Sequence, residues 1–392
     1  MIDVRELIAS QTVAEHTARA EEYFAKLTDW TFHLGKPFSS FEETPQLLVN
    51  FAVVLQGLEL CPGLTVLEFG AGTCWASRML TQLGCRVIAV DVSPTALKMG
   101  AELYAKHAPF GAKPEPEFLL FDGQRLTLPD ASVDRIICLD AFHHVPNPAQ
   151  VLAEMGRVLA PGGIAGFAEP GPEHSRSSTS QYEMRHHGVI ENDVDIRALW
   201  QMARNAGFTD IKLAVFNQNA LRVGLREFED FVAGDTRAYA VDTRKFLQDK
   251  RNFFLYKGQR AATDSRFRAG LVAEILPANK VVLARADEPV RVQAMVRNTG
   301  ASLWLPPGAG LGAVYLGFHV RLRTGEMHRE SYHWQQLGAE QGVASGETVN
   351  VAAELPALPP GRYTLELDMV SNDVCWFALN GSPTALLDVD VL

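Results

Sequence analysis

Between residues 61 and 258 short apolar runs alternate with helix-like segments, and this alternation restricts the fold more than any other feature of the chain. The runs are LTVLEF, RVIAVDV, EFLLFD, VDRIICLDA, GGIAGFAEP and FTDIKLAVF, with amphipathic stretches over 73–83, 94–107, 148–159 and 193–206. Strands that are apolar throughout are covered on both faces, so the pattern predicts a mostly parallel, doubly wound sheet with helices above and below. Ser93-Pro94 and Asn147-Pro148 each place an N-cap before a proline at the first helical position, and Gly207 stops the last helix. NFFLYKG, residues 252–258, reads as a seventh strand antiparallel to FTDIKLAVF, which makes 222–250 a helical insertion.

The texture differs on either side. Residues 1–60 read as helices, and the aromatic stretch DWTFHLGKPFSSF (29–41) is either helical core or a lid over a ligand. Residues 259–275 read as a linker. From 276 to 392 the apolar period falls to two, in VVLA, VRVQAMVRN, LGFHVRLR, TVNVAAEL, RYTLELDMV, VCWFAL and ALLDVDVL, separated by Pro/Gly and Asn/Gly turns. Seven or so such strands predict an antiparallel β-sandwich of immunoglobulin-like size. Trp304, Trp334 and Trp376 either fill its core or stack on sugars.

At 392 residues the chain has room for two domains. A net charge of −10 argues against a nucleic-acid backbone as partner, since that requires clustered Lys and Arg. No apolar run reaches the 18 or so residues that a membrane span needs, and residues 1–27 lack a signal-peptide core. Five cysteines stand without a C-x-x-C pair, which suits a reducing, cytoplasmic setting and offers no metal-ligand spacing, so no metal site is expected.

The chemistry concentrates where the first strand ends, in LEFGAGT (67–73). Gly70 and Gly72 nearly make the turn that holds a pyrophosphate on a helix N-terminus, but the third glycine is missing and Glu68 adds a carboxylate. A ligand carrying positive charge fits better, and S-adenosylmethionine brings an ammonium and a sulfonium without phosphate. Asp91 ends the second strand, where an acid accepts from ribose hydroxyls. Asp122, followed by Gly123, ends the third, where a carboxylate can accept from an adenine amino group.

With VLEFGAGT, VIAVDVS, FDGQRLTLPDASVDRIICLDAFHHV and RVLAPGG in this order, residues 61–215 resemble the class I S-adenosylmethionine-dependent methyltransferases. The resemblance implies a Rossmann-like fold, with Glu68 at the methionine end, Gly70, Ala71 and Gly72 in the turn and Asp91 on the ribose. It also implies Val92 beside that ribose, Asp122 and Gly123 on adenine, and Asp140 near the methyl group. Cys74 stands where many members have a third glycine; it is read as a packed thiol, with a reactive thiol at the helix start as the alternative.

Such a site needs a base for an oxygen acceptor. His143 and His144 follow the fourth strand, and Glu169 and His174 lie in the polar stretch EPGPEHSRSSTSQYEMRHHGVIEND. Each is a candidate base or orienting group, against a structural role at the sheet edge. The Arg, Glu and His content of that loop suits a polyhydroxylated or anionic acceptor, and a sugar hydroxyl in a glycoconjugate, nucleotide-sugar or glycosylated metabolite is the first expectation. The alternatives are another small metabolite, with the sandwich serving for homodimerisation, and a non-enzymatic binding protein on the same scaffold.

Overall fold

Four helices precede the first strand: α1 (Val4–Ala9), α2 (Val13–Ala25), α3 (Thr31–Leu34) and α4 (Thr44–Gly57). Asp3 caps α1, and α2 opens with a reciprocal capping box in which Thr12 and Glu15 satisfy each other's backbone N–H groups. The computed structural model describes residues 1–215, 224–234, 240–241, 244–245, 250–258 and 264–392. The chain divides into two units, Met1–Arg260 and Ala261–Leu392.

The first unit continues through β1 (Thr65–Phe69), α5 (Trp75–Gln82), β2 (Arg86–Asp91), α6 (Pro94–Lys106), β3 (Glu117–Leu120) and β4 (Val133–Leu139). Then come α7 (Pro148–Val158), β5 (Leu159–Pro170), α8 (Ser178–His187), α9 (Ile196–Asn205), β6 (Asp210–Leu213), α10 (Leu225–Val232) and β7 (Lys250–Lys257). The seven strands form one sheet in the order β3-β2-β1-β4-β5-β7-β6, parallel except for β7, which runs antiparallel to both neighbours. This is a mixed α/β, mostly parallel Rossmann-like sheet. Of the insertion read at 222–250, α10 is described, while 222–223, 235–239, 242–243 and 246–249 lie outside the described residues.

Strand alternation decides which side chain meets which layer. Leu67 and Phe69 of β1 join the core formed with Leu152 and Met155 of α7 and Leu199 and Ala203 of α9. Glu68 points to the other face, under α5. Ring contact between Phe51 and Trp75 brings α4 to α5, and the Thr81–Tyr104 hydroxyl pair ties α5 to α6. Gly166 of β5 keeps α4 close, since a Cβ there would stand 3.0 Å from Val54 Cγ1.

The second unit holds β8 (Ala273–Pro277), β9 (Val281–Ala284), β10 (Val290–Asn298), β11 (Val314–Leu322), β12 (Met327–Gln336), β13 (Thr348–Leu355), β14 (Gly361–Ser371), β15 (Cys375–Trp376) and β16 (Ala385–Val391). They build a three-stranded sheet, β13-β10-β8, and a six-stranded one that runs β12-β11-β14-β16-β9 with β15 on β14. One buried cluster takes side chains from both sheets, among them Val292, Ala294, Phe318 and Leu367. Three features depart from the sequence reading. β8 starts inside the stretch read as linker, of which 259–263 lie outside the described residues. β12 is an edge strand with little apolar alternation, which hides it. And β16 pairs with β9 in parallel, so the sheet is not wholly antiparallel. Trp304 is fully buried, whereas Trp334 is 37% exposed and Trp376 half-buried.

Candidate functional site

At the carboxyl ends of β1, β2 and β4 the first unit encloses a cavity of about 440 Å³, within the size range of small-molecule sites. Its floor is the turn after β1. Gly70 and Gly72 take φ of +67° and +51°, and a Cβ on Gly70 would stand 2.3 Å from the Ala141 Cβ, so this position excludes any side chain. Around Gly72 such a Cβ would meet nothing within 4 Å, which leaves its backbone open to the cavity. The Asp91 carboxylate holds the turn by accepting the N–H of Gly72 at 2.8 Å and of Ser93 at 2.9 Å. Burial pushes its pKa up. Gly70, Ala71, Gly72, Asp91, Val92, Gly123 and Asp140 all line the cavity.

Two of the expected acids do not. Glu68 lies outside the lining because alternation along β1 turns it toward α5, where it accepts from the Ser77 hydroxyl. Burial drives its pKa to about 8. A carboxyl so placed holds its proton more tightly than an exposed one and does not present its charge to the cavity directly. Asp122 also lies outside, its carboxylate turned back to accept the N–H groups of Gln124 and Arg125 at 2.8 and 2.7 Å. Those bonds hold its pKa below the ordinary value.

Cys74 is the N-cap of α5 at φ +61°, in the left-handed region where glycine is the easy residue. Its side chain fits because Gly100 leaves room: a Cβ there would lie 2.3 Å from Cys74 Sγ. The thiol is fully buried, and that burial pushes its pKa up, in line with the packing reading.

The N-terminal region forms the wall opposite the sheet. Val13, Thr17, Tyr23 and Phe24 of α2, together with His33 and Lys36, line the cavity. Glu21 fastens α2 to the start of α6 by accepting from the hydroxyls of Ser93 and Thr95, each at 2.6 Å. The His33 carbonyl accepts from the Thr73 hydroxyl at 3.0 Å, so the aromatic stretch 29–41 closes on the glycine turn.

Beyond Asp140 the site is made of side chains. Asp140 pairs with Lys250 of β7. Glu169, fully buried at the end of β5, accepts the N–H groups of Ala141, Phe142 and His143 at 3.1, 2.9 and 3.2 Å, and His143 Nδ1 at 2.8 Å. It lies outside the cavity lining, and its bonds hold the loop after β4. His143 is buried behind the lining, and burial keeps its pKa well below the usual imidazole value.

His144 does line the cavity, with 43% of its side chain exposed. Its Nδ1 donates to the Ile190 carbonyl, which fixes the proton there and leaves Nε2 basic. His174 stays outside the lining and meets Glu191 Oε2 at 2.8 Å. Glu191, which the sequence reading did not single out, lines the cavity 3.6 Å from His144 Nδ1. Burial pulls its pKa up, but the bond to His174 and the nearby His144 and His143 outweigh it and hold the carboxyl below the ordinary value. No motif spacing marks Glu191; only its place in the polar loop after β5 hints at it.

Comparison with known proteins falls on the same stretch. Residues 67–167 match the family model described as a methyltransferase domain. The chain is 31% identical over 143 residues to a demethylmenaquinone methyltransferase of Renibacterium salmoninarum, covering 36% of this chain and 56% of that protein. It is 34% identical over 109 residues to a malonyl-[acyl-carrier protein] O-methyltransferase of Serratia marcescens, covering 27% and 38%. The chain thus spans less than two thirds of either relative. Among solved structures, phosphoethanolamine N-methyltransferase 2 of Haemonchus contortus, in complex with S-adenosyl-L-methionine, aligns at 16% identity with a TM-score of 0.45, over 64% of this chain and 60% of that one. Most of β1, the glycine turn, β2 to β4 and most of β5 lie inside the matched residues, and what the sequence match supports for that stretch is a methyltransferase domain.

Proposed function

We propose that the chain is an S-adenosylmethionine-dependent methyltransferase that methylates a hydroxyl oxygen. The observation that carries this reading is the pairing of an open glycine turn with the cavity-facing Asp91. The Asp91 carboxylate uses one acceptor direction on each of two backbone N–H groups and keeps others for ribose hydroxyls. The open backbone at Gly72 suits close approach of the donor, and the cavity volume suits a ligand of its size. Bound there, the donor would supply a methyl group on a positively charged sulfur.

The remaining work falls to the chain. His144 accepts the proton of the acceptor hydroxyl on Nε2, with Ile190 and Glu191 fixing the ring. Residues 1–60 act as a lid that excludes water, through α2 and His33. His144, Glu183, Glu191 and Lys36 give the wall a polar, hydroxyl-binding character, and a sugar hydroxyl is the acceptor we favour. We read the two sheets over 276–392 as an immunoglobulin-like sandwich serving the acceptor or self-association.

Titration calorimetry with S-adenosylmethionine tests the reading. The full chain is expected to bind it, and Asp91→Ala to weaken binding by about 1–3 kcal/mol, because buried polar groups lose their partner. No heat at high micromolar donor would sink the proposal; unchanged affinity in the variant would remove Asp91 from it.

A further inference from the structure

Behind the cavity wall, His143, His174 and Glu191 converge from three separate segments, and the acid–base role given to His144 leaves their mutual arrangement unexplained. His143 Nε2 lies 3.9 Å from Glu191 Oε2, and His174 Nε2 lies 2.8 Å from the same oxygen. One donor atom from each residue falls within 4.8 Å of the other two. Zinc binds imidazole nitrogen at about 2.0–2.1 Å, which puts neighbouring ligand atoms of a tetrahedron roughly 3.3 Å apart. These two separations straddle that spacing, and the third lies within 4.8 Å, so a cation draws the three groups together without rebuilding the loops.

Tautomers point the same way. Oε2 of Glu169 takes the N–H of His143 and faces its Nδ1 at 2.8 Å, while Oε1 takes the N–H groups of Ala141 and Phe142. Surrounded by donors, Glu169 is an acceptor, and the His143 proton sits on Nδ1. Nε2 therefore carries a lone pair 3.9 Å from the Glu191 oxygen, and a cation between them would bond to both. A carboxylate behind the distal nitrogen of an imidazole is also the arrangement that fixes the tautomer and raises the basicity of metal-bound histidines. The Ser180 hydroxyl, 3.1 Å from Glu191 Oε2 and 3.3 Å from His174 Nε2, completes the polar surround.

We propose that His143, His174 and Glu191 form a site for one divalent d-block cation, of which zinc is the reference, with its open position toward the cavity that Glu191 lines. Two imidazoles and one carboxylate select a borderline ion over magnesium. Three protein donors leave room for a water or an acceptor oxygen.

The test uses the full chain, stripped with chelator and dialysed against Zn2+, with bound metal counted by elemental mass spectrometry. One zinc per chain is expected at micromolar free metal, undiminished by excess Mg2+. His174→Ala and Glu191→Gln are each expected to weaken binding by at least about tenfold, the scale seen even for outer-shell partners. His107→Ala, an exposed histidine at the end of α6, should leave it unchanged. Absence of stoichiometric zinc in the unsubstituted chain, or equal zinc in every variant, overturns the site. Should a variant fail to fold, Co2+ added to the unsubstituted chain decides: strong visible bands of a low-coordinate site support the proposal, and a spectrum like aqueous Co2+ refutes it. Calorimetry with S-adenosylmethionine on the same samples separates the two readings. Lost donor binding with retained zinc removes the methyltransferase reading alone, and the reverse removes the metal site alone.

Discussion

The two ends of the cavity are built from different materials. Around β1 and β2 the surface is backbone: two glycines at positive φ, and one carboxylate spent partly on their N–H groups. Around β4 and β5 it is side chain: His144 and Glu191 line it, and His143, His174 and Glu169 hold them from behind across three segments. A backbone surface is set by local sequence and stays in place once the strand and helix form. A side-chain surface exists only when distant loops fold correctly, and it can change its charge. The first kind suits a ligand that is always the same, and the second suits chemistry and choice of acceptor.

This contrast breaks first at His144. If the side-chain end performs the proton transfer, His144→Ala lowers turnover by about 10²–10⁴-fold, the range of a lost general base, and leaves donor affinity alone. Single-turnover methyl transfer and donor calorimetry on one preparation check both halves. A variant with normal turnover would place the base elsewhere.

At the backbone end the expected effect is smaller in energy but falls on binding and folding together. Gly70→Ala puts a Cβ against Ala141 and forces a left-handed conformation, which costs roughly 2–4 kcal/mol in strain and overpacking. Ala141 belongs to the loop that carries His144, so this variant should also disturb turnover, whereas His144→Ala should not disturb donor binding. Urea unfolding with donor calorimetry measures the asymmetry. Equal, independent effects from the two substitutions would show that the ends are not coupled through this contact.

The same contrast explains what the sequence disclosed. The strand order needs only apolar runs, caps and a final antiparallel strand, all local signals, and the glycine turn followed by Asp91 is equally local. For Glu68 the position in the motif is visible, while its direction depends on the two-residue alternation of β1 against α5. For Asp122 the sequence did not show that the loop after β3 folds back to donate two N–H groups to Oδ1. Glu191 was marked only by its place in the polar loop, since its partners lie 17 and 47 residues away at His174 and His144. β12 escaped as an edge strand that is polar on both faces, with no period to read.

Glu68 gives the smallest effect and the sharpest view of the difference between the two carboxylates of the first two strands. Asp91 faces the cavity; Glu68, two residues before the same turn, is 3% exposed and bonded to Ser77. Burial raises its pKa from 4.5 in the ordinary state to about 8, with Asp91 adding to the shift. Because the folded value lies above the unfolded one, the folded state holds the proton more tightly. The stabilisation is complete below about 4.5 and is lost as pH rises through about 8. Glu68→Gln keeps the shape and a polar contact to Ser77 but cannot ionise, so its stability should stay nearly level across that window while that of the unsubstituted chain declines. Urea midpoints taken at intervals from about pH 5 to about pH 8.5 read the two slopes directly. Parallel slopes would mean that Glu68 is ionised in the folded chain, and the carboxylate would then return as a charge felt by whatever occupies the turn.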